Sequence, residues 1–142
     1  MKAFSSEVIN KLGYYVYLIS DPTNGEIFYV GKGKGNRVFS HFKETRDSKK
    51  VNKIKEIQLK GLEPKIEILV HGVKDEITIK KIEAAIIDLI DKANLTNIIG
   101  GYESSDFGRM DLNQINAKYS SKKANINENV LLIKLSQFAS HS

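Results

Sequence analysis

The sequence predicts an α+β fold, and three observations carry that prediction. Two β-branched and aromatic segments, Gly13 to Ser20 and Glu26 to Val30, flank Asp21-Pro22-Thr23-Asn24-Gly25. In that turn Pro presets φ and Asn-Gly accepts positive φ, the signature of a β-hairpin. A third strand is expected over Lys65-Ile66-Glu67-Ile68-Leu69-Val70, which alternates before a short apolar run and has Pro64 at its start. From Asp75 to about Ala93 the apolar residues instead recur at helical spacing, behind acidic residues at the positive end of the helix dipole.

The elements follow in order along the chain. After the hairpin comes Gly31-Lys32-Gly33-Lys34-Gly35-Asn36, expected as a loop, then a helix from about Arg37 to Thr45 and a second from about Lys49 to Lys60, ended by Gly61. Beyond Asn94 to Gly101 the chain changes character. Residues Glu103 to Glu128 are polar and expected to be irregular, with a short helix at most over Asn113 to Tyr119. Asn129 to Leu135 is a short apolar run fit for a final strand or helix, and Ala139 to Ser142 is expected to fray.

Composition removes several function classes. The chain has 142 residues, no cysteine, no tryptophan and three histidines. A thiolate nucleophile, a dithiol redox pair, a disulfide framework and a cysteine zinc site are therefore excluded, and a histidine-rich metal site is disfavoured. An apolar content of 41% with 27% charged residues is ordinary globular composition, enough for one domain with its own core. No apolar run approaches the ~20 residues of a membrane span, and Met1 to Ser6 lacks a signal-peptide core, so a cytoplasmic protein with no membrane partner is expected.

The formal charge of +5 is unevenly distributed. Between Lys32 and Lys60 ten basic residues stand against three acidic ones, a net of +7, which leaves the rest of the chain at −2. Such a stripe suits a polyanion such as nucleic acid, or forms a solvated helix face.

Several residues stand out as chemistry. Gly31 to Gly35, between strand and helix, would let backbone N–H groups face an anion beside Lys32 and Lys34. It matches neither G-x-x-x-x-G-K-[ST] nor G-x-G-x-x-G, since Asn36 stands where the third glycine belongs. Arg37 and His41, four residues apart, are expected on one helix face, where guanidinium holds a phosphate and imidazole moves a proton. On the helix from Asp75, Glu83 falls between Ile90 and Ile87 inside the apolar arc, while Lys80, Lys81, Asp88, Asp91 and Lys92 keep to the opposite side. A carboxylate there needs a cation, metal or donor, or reaches outward to water. In the hairpin, Tyr15 and Tyr17 point to one face and Tyr14 and Val16 to the other; such tyrosines commonly place the ring in the core and the hydroxyl at its edge, and a tyrosine acts as a general base where its proton is passed on.

Tyr15-Val16-Tyr17, then eleven residues, then Tyr29-Val30-Gly31, followed by Arg37, His41, Glu83 and Asn97, resembles the GIY-YIG endonuclease module in order and spacing. Phe28 to His41 looks most like the branch that includes animal LEM/ankyrin-repeat nucleases and their bacterial relatives. The resemblance covers residues 13 to 101, so residues 1–101 are expected to form the nuclease-like domain and 102–142 an extension packed on it. Tyr15 and Val16 stand where the family name has Gly and Ile, so the register rests on Tyr17, and Asn94 competes with Asn97.

The resemblance implies a small central three-stranded antiparallel sheet flanked by helices, and hydrolysis of DNA, branched or damaged forms included, with one divalent cation, Mg²⁺ or Mn²⁺. It implies Tyr17 as general base, Tyr29 ordering water and phosphate, Arg37 stabilising the phosphoryl charge and His41 assisting the proton relay. Glu83 would ligate the metal and Asn97 would fix the end of the helix or the site, with Lys32, Lys34, Lys43 and Arg46 contacting DNA. Two other readings are a non-catalytic nucleic-acid-binding module on the same scaffold, and a nucleotide binder using the Gly31 to Gly35 loop.

Overall fold

The computed structural model of the chain describes residues 2–90, 95–97 and 108–126, with side chains as far as residue 120. It divides into two compact units, residues 1–109 and 110–142. In the first, α1 (Ser6–Leu12) leads into β1 (Tyr14–Ser20) and β2 (Ile27–Lys34), followed by a 3-10 helix (Arg37–Lys43), α2 (Lys49–Leu59), β3 (Lys65–Val73) and α3 (Glu76–Leu89). The second unit contains α4 (Leu112–Ile126).

The sheet has the order β2-β1-β3, antiparallel throughout. The expected three-stranded antiparallel sheet with flanking helices is the architecture found. The hairpin forms at the anticipated turn: Gly25 takes φ 76° and its N–H donates to the Asp21 carbonyl, while Asp21 N–H donates to Glu26 O at 2.9 Å. The Asp21 carboxylate accepts from Thr23 N–H and Oγ1 and is met by Lys53 Nζ at 3.1 Å, tying the turn to α2.

Side-chain alternation along β1 supplies both halves of the core. Tyr15, Tyr17 and Ile19 join Phe28, Val38, Ile54 and Ile57 under the 3-10 helix and α2, whereas Val16 and Val30 pack against Ile79 and Ile87 of α3. Helix starts follow their capping residues: Ser5, Ser48 and Asp75 accept from Val8, Val51 and Thr78 N–H groups.

Four expectations change. First, Gly31 to Lys34 is strand, not loop: Tyr17, Val16, Tyr15 and Tyr14 pair with Gly31, Lys32, Gly33 and Lys34 in turn. The segment runs extended beside β1, with its inward backbone groups in the ladder, so it does not form the glycine loop proposed as an anion or nucleotide cradle. Second, the helix after it is a 3-10 helix. Phe39 N–H donates to Asn36 O, three residues back, while Val38 N–H is taken by the Tyr15 hydroxyl and the Asn36 side chain by Phe4 N–H. With three residues per turn, Val38 and His41 share the buried face, and Arg37 is exposed on another. The shared Arg37/His41 face is therefore wrong.

Third, α3 stops at Leu89, where Ile90 turns extended, short of Ala93, which lies outside the described residues. Fourth, the polar segment expected to be irregular holds a 15-residue helix, α4, longer than Asn113 to Tyr119. Gln114 N–H donates to Asp111 Oδ1 at 2.8 Å and Asp111 N–H to Gln114 Oε1 at 2.9 Å, a reciprocal cap that starts it. The N-terminal α1 was not anticipated, and β3 continues three residues past Val70. The apolar run Asn129 to Leu135, the frayed tail and Asn94 lie outside the described residues.

Candidate active site

The site grows from the pairing of Tyr17 with Gly31 across β1 and β2. A Cβ at Gly31 would sit 2.6 Å from both the Tyr17 hydroxyl and Cζ, and 2.9 Å from Tyr29 Cε2. Only glycine leaves space for the two rings, whose centroids are 6.1 Å apart. Tyr17 is 1% exposed.

The Tyr17 hydroxyl is hydrogen-bonded to His41 Nε2. His41 hangs from the buried face of the 3-10 helix, and its ring also meets Tyr29 edge-on, with centroids 5.1 Å apart. Burial first, then the Lys50 charge, pushes the imidazole pKa down to about 4, so the ring is neutral near pH 7. Nδ1 faces Glu44 Oε1 at 3.3 Å, and Lys50 Nζ donates to that oxygen at 2.6 Å. Burial also drives the Tyr17 phenol far above its usual range, and that of Tyr29 upward. Arg37 lowers both phenols' pKa and Glu83 raises both, which puts the guanidinium and the carboxylate within electrostatic reach of both hydroxyls.

Glu83 reaches the same place from α3. Burial raises the pKa of its carboxylate, while the Lys32 charge and the nearby Lys32 backbone N–H oppose that rise. β2 is an edge strand, whose outward N–H and C=O groups would otherwise be unpaired. Here they are taken in sequence. Thr96 N–H and Oγ1 donate to Phe28 O at 2.6 and 2.7 Å, and Asn97 Oδ1 accepts from Val30 N–H at 3.2 Å. Asn97 Nδ2 donates back to Val30 O at 2.8 Å, and Glu83 lies near the Lys32 N–H. Asn97 therefore clamps the strand that carries Tyr29 and Gly31.

Tyr17, Tyr29 and His41 are thus brought into contact, with Arg37 and Glu83 within electrostatic reach of both hydroxyls and Asn97 clamping β2 behind them. Among the cations named for DNA contact, Lys34, Lys43 and Arg46 are exposed and Lys32 is half-buried, with Lys34 Nζ 5.0 Å from the Tyr14 ring centroid. Tyr15 is structural: its hydroxyl donates to Gly35 O and accepts from Val38 N–H, holding the 3-10 helix in place.

Glu44 and Lys50 escaped the sequence reading. The signal was present in Glu44, an acidic residue three positions after His41 inside a lysine-rich stripe. Among the described residues no three His, Cys, Asp or Glu side chains gather into a metal cage.

The model of the LEM-3-like GIY-YIG domain family matches residues 24–138. A relative, the ankyrin repeat and LEM domain-containing protein 1 homolog of Caenorhabditis elegans, is 36% identical over 116 residues, covering 62% of this chain and 16% of that protein. The chain thus spans about one sixth of that relative's length. No solved structure matches. With its hairpin tyrosines, Gly31 packed against Tyr17 and Tyr29, and a match over most of its length, the chain belongs to the LEM-3-like GIY-YIG domain family, a nuclease-type fold.

Proposed function

We propose that this chain is a DNA endonuclease that hydrolyses phosphodiester bonds with one divalent cation, Mg²⁺ or Mn²⁺. The observation that carries the proposal is the contact of the Tyr17 hydroxyl with a neutral His41, inside a cluster that also holds Tyr29, Arg37 and Glu83.

The residues fit a cation shared with substrate. Mg²⁺ keeps several waters and is commonly held by one or two carboxylates together with substrate phosphates. Glu83 is such a carboxylate: half-buried, with a pKa raised by burial. Bound there, the cation would supply positive charge at the leaving oxygen.

The chain's own groups do the rest. Burial keeps Tyr17 protonated at rest, so its proton passes to His41 Nε2 as Tyr17 takes one from water. The water oxygen then bonds to phosphorus and the bond to the leaving oxygen breaks, that oxygen taking a proton from solvent. Tyr29 orders the water and phosphate. Arg37, exposed at the start of the 3-10 helix, faces the non-bridging oxygens, where guanidinium stabilises developing charge. Lys32, Lys34, Lys43 and Arg46 hold flanking phosphates without reading bases.

The test is incubation of purified protein with plasmid, single-stranded and branched DNA in Mg²⁺ or Mn²⁺. Cleavage is expected to stop with chelator and in Tyr29→Phe, Arg37→Ala and Glu83→Ala. Cleavage that survives all three substitutions overturns the assignment. Salt-dependent DNA binding without metal-dependent cleavage favours a non-catalytic binding module instead.

A further inference from the structure

Beyond His41 the polar chain continues for two links that the hydrolysis above does not use. Glu44 Oε1 lies 3.3 Å from His41 Nδ1, and the same oxygen receives Lys50 Nζ at 2.6 Å. The side chains of Lys50 and Glu44 are 12% and 26% exposed, against a His41 side chain at 3%, so this pair is far better shielded than a surface ion pair. Lys50 Nζ also stands 4.7 Å from the centroid of the Tyr29 ring, so one cation touches both branches of the site.

A neutral imidazole carries its proton on one nitrogen or the other. For Nε2 to accept the Tyr17 proton it must be bare, which requires the proton on Nδ1. A carboxylate has no proton to offer, so an acceptor at Nδ1 selects that tautomer, as carboxylates do behind other catalytic or ligating histidines. Resting on the hydrolysis proposed above, we infer that Glu44 is a positioning residue that fixes the His41 tautomer with Nε2 open to Tyr17, and that Lys50 tempers the charge Glu44 presents to the ring.

The groups around His41 give the pair opposite signs. Tyr17 faces the ring from β1 and Tyr29 from β2, Arg37 lies on its own helix, Glu44 follows at the helix end and Lys50 arrives from α2. Burial, Lys50 and Arg37 disfavour the imidazolium, and Glu44 favours it. Weakening Glu44 lowers the basicity of the ring, and removing Lys50 raises it. A role confined to holding the fold together predicts no such opposition.

The experiment uses the full chain labelled with ¹⁵N and records long-range proton correlations to the imidazole nitrogens, with His41 assigned by difference from His41→Gln. At pH 7 the wild type is expected to carry its proton on Nδ1. Glu44→Gln, whose amide oxygen still accepts, keeps that tautomer while the His41 pKa falls. Glu44→Ala shifts the proton toward Nε2 and lowers kcat on the order of 10- to 100-fold at little change in KM. Lys50→Met raises the His41 pKa, and the acid limb of the pH–rate profile moves with it, opposite to Glu44→Gln. A wild-type ring protonated on Nε2, or a tautomer unmoved in Glu44→Ala, overturns the inference. The tautomer is read without cleavage, so the two proposals fail separately. A chain that cuts no DNA while its tautomer follows Glu44 overturns only the hydrolysis, and one that cuts DNA with a tautomer indifferent to Glu44 overturns only the positioning role.

Discussion

On the face covered by the 3-10 helix and α2, a run of polar groups finds its partners within the fold: Tyr17 in His41, His41 in Glu44, Glu44 in Lys50. On the face covered by α3, Glu83 lies near the Lys32 backbone N–H on the β2 edge and has a pKa raised by burial. Among the described residues no buried side-chain nitrogen or oxygen lacks a partner, so the contrast lies in the kind of partner available. The first face is closed and suited to moving a proton along fixed contacts. The second keeps a carboxylate whose remaining lone pairs are open to a cation arriving with substrate. The lesson is a division of labour between the two faces of the sheet, with the edge strand β2 belonging to both sides.

Gly31 sits where the two sides meet, and substituting it breaks the comparison most completely. In Gly31→Ala the added Cβ meets both tyrosine rings below 3.0 Å. We expect cleavage to fall more than about 100-fold, because small displacements of reacting groups carry costs of that order. Overpacking should also cost about 1–3 kcal/mol of stability in urea unfolding. Full activity in this variant would mean that the two rings need not keep their spacing.

The closed face should announce itself in pH dependence. His41 has a native pKa of about 4, below the ordinary value of 6.5. Between those values the unfolded chain binds a proton that the native ring refuses, so stability falls as pH drops from about 6.5 to about 4, by on the order of 3 kcal/mol. Denaturant midpoints across that window should show the slope in wild type and lose it in His41→Gln. A slope that persists in the variant would assign the titration elsewhere.

The open face predicts a smaller and differently placed effect. Asn97→Ala removes both hydrogen bonds to the Val30 backbone and leaves part of the β2 edge unpaired, for a loss of about 1–3 kcal/mol without a change in the pH slope. Hydrogen exchange at Val30 should accelerate in that variant while exchange at Val38, held by Tyr15, stays slow. Equal acceleration at both amides would show that the two faces open together.

How much of this was legible in the residues depends on the range of the interaction. The hairpin was, because Pro22, Asn24 and Gly25 act through their own backbone angles. Glu83 was, because one carboxylate inside an apolar arc is a local contradiction. The 3-10 helix was not: the diversion of Asn36 to Phe4 and of Val38 to Tyr15 are contacts over 32 and 23 residues, and they decide the helix type. The glycine loop misled for a related reason, since a Gly-Lys-Gly-Lys-Gly run has little strand propensity and becomes strand only beside the tyrosines that need its missing side chains. The start of α4 was readable in Asp111 and Gln114, three residues apart, but its polar composition concealed the helix.

The ion pair at the hairpin turn reaches further than the turn itself. Lys53, which grips Asp21, stands one turn of α2 from Lys50, which grips Glu44. The helix is thus a splint pinned at both lysines, one pin in the turn that sets Tyr17 against Gly31 and the other in the relay behind His41. The bonds from Thr23, then the Lys53 ammonium, hold the Asp21 carboxyl down to about 2, so this pin keeps its charge through the whole interval in which His41 gains its proton. The machinery can therefore change its protonation in mild acid while its frame stays anchored.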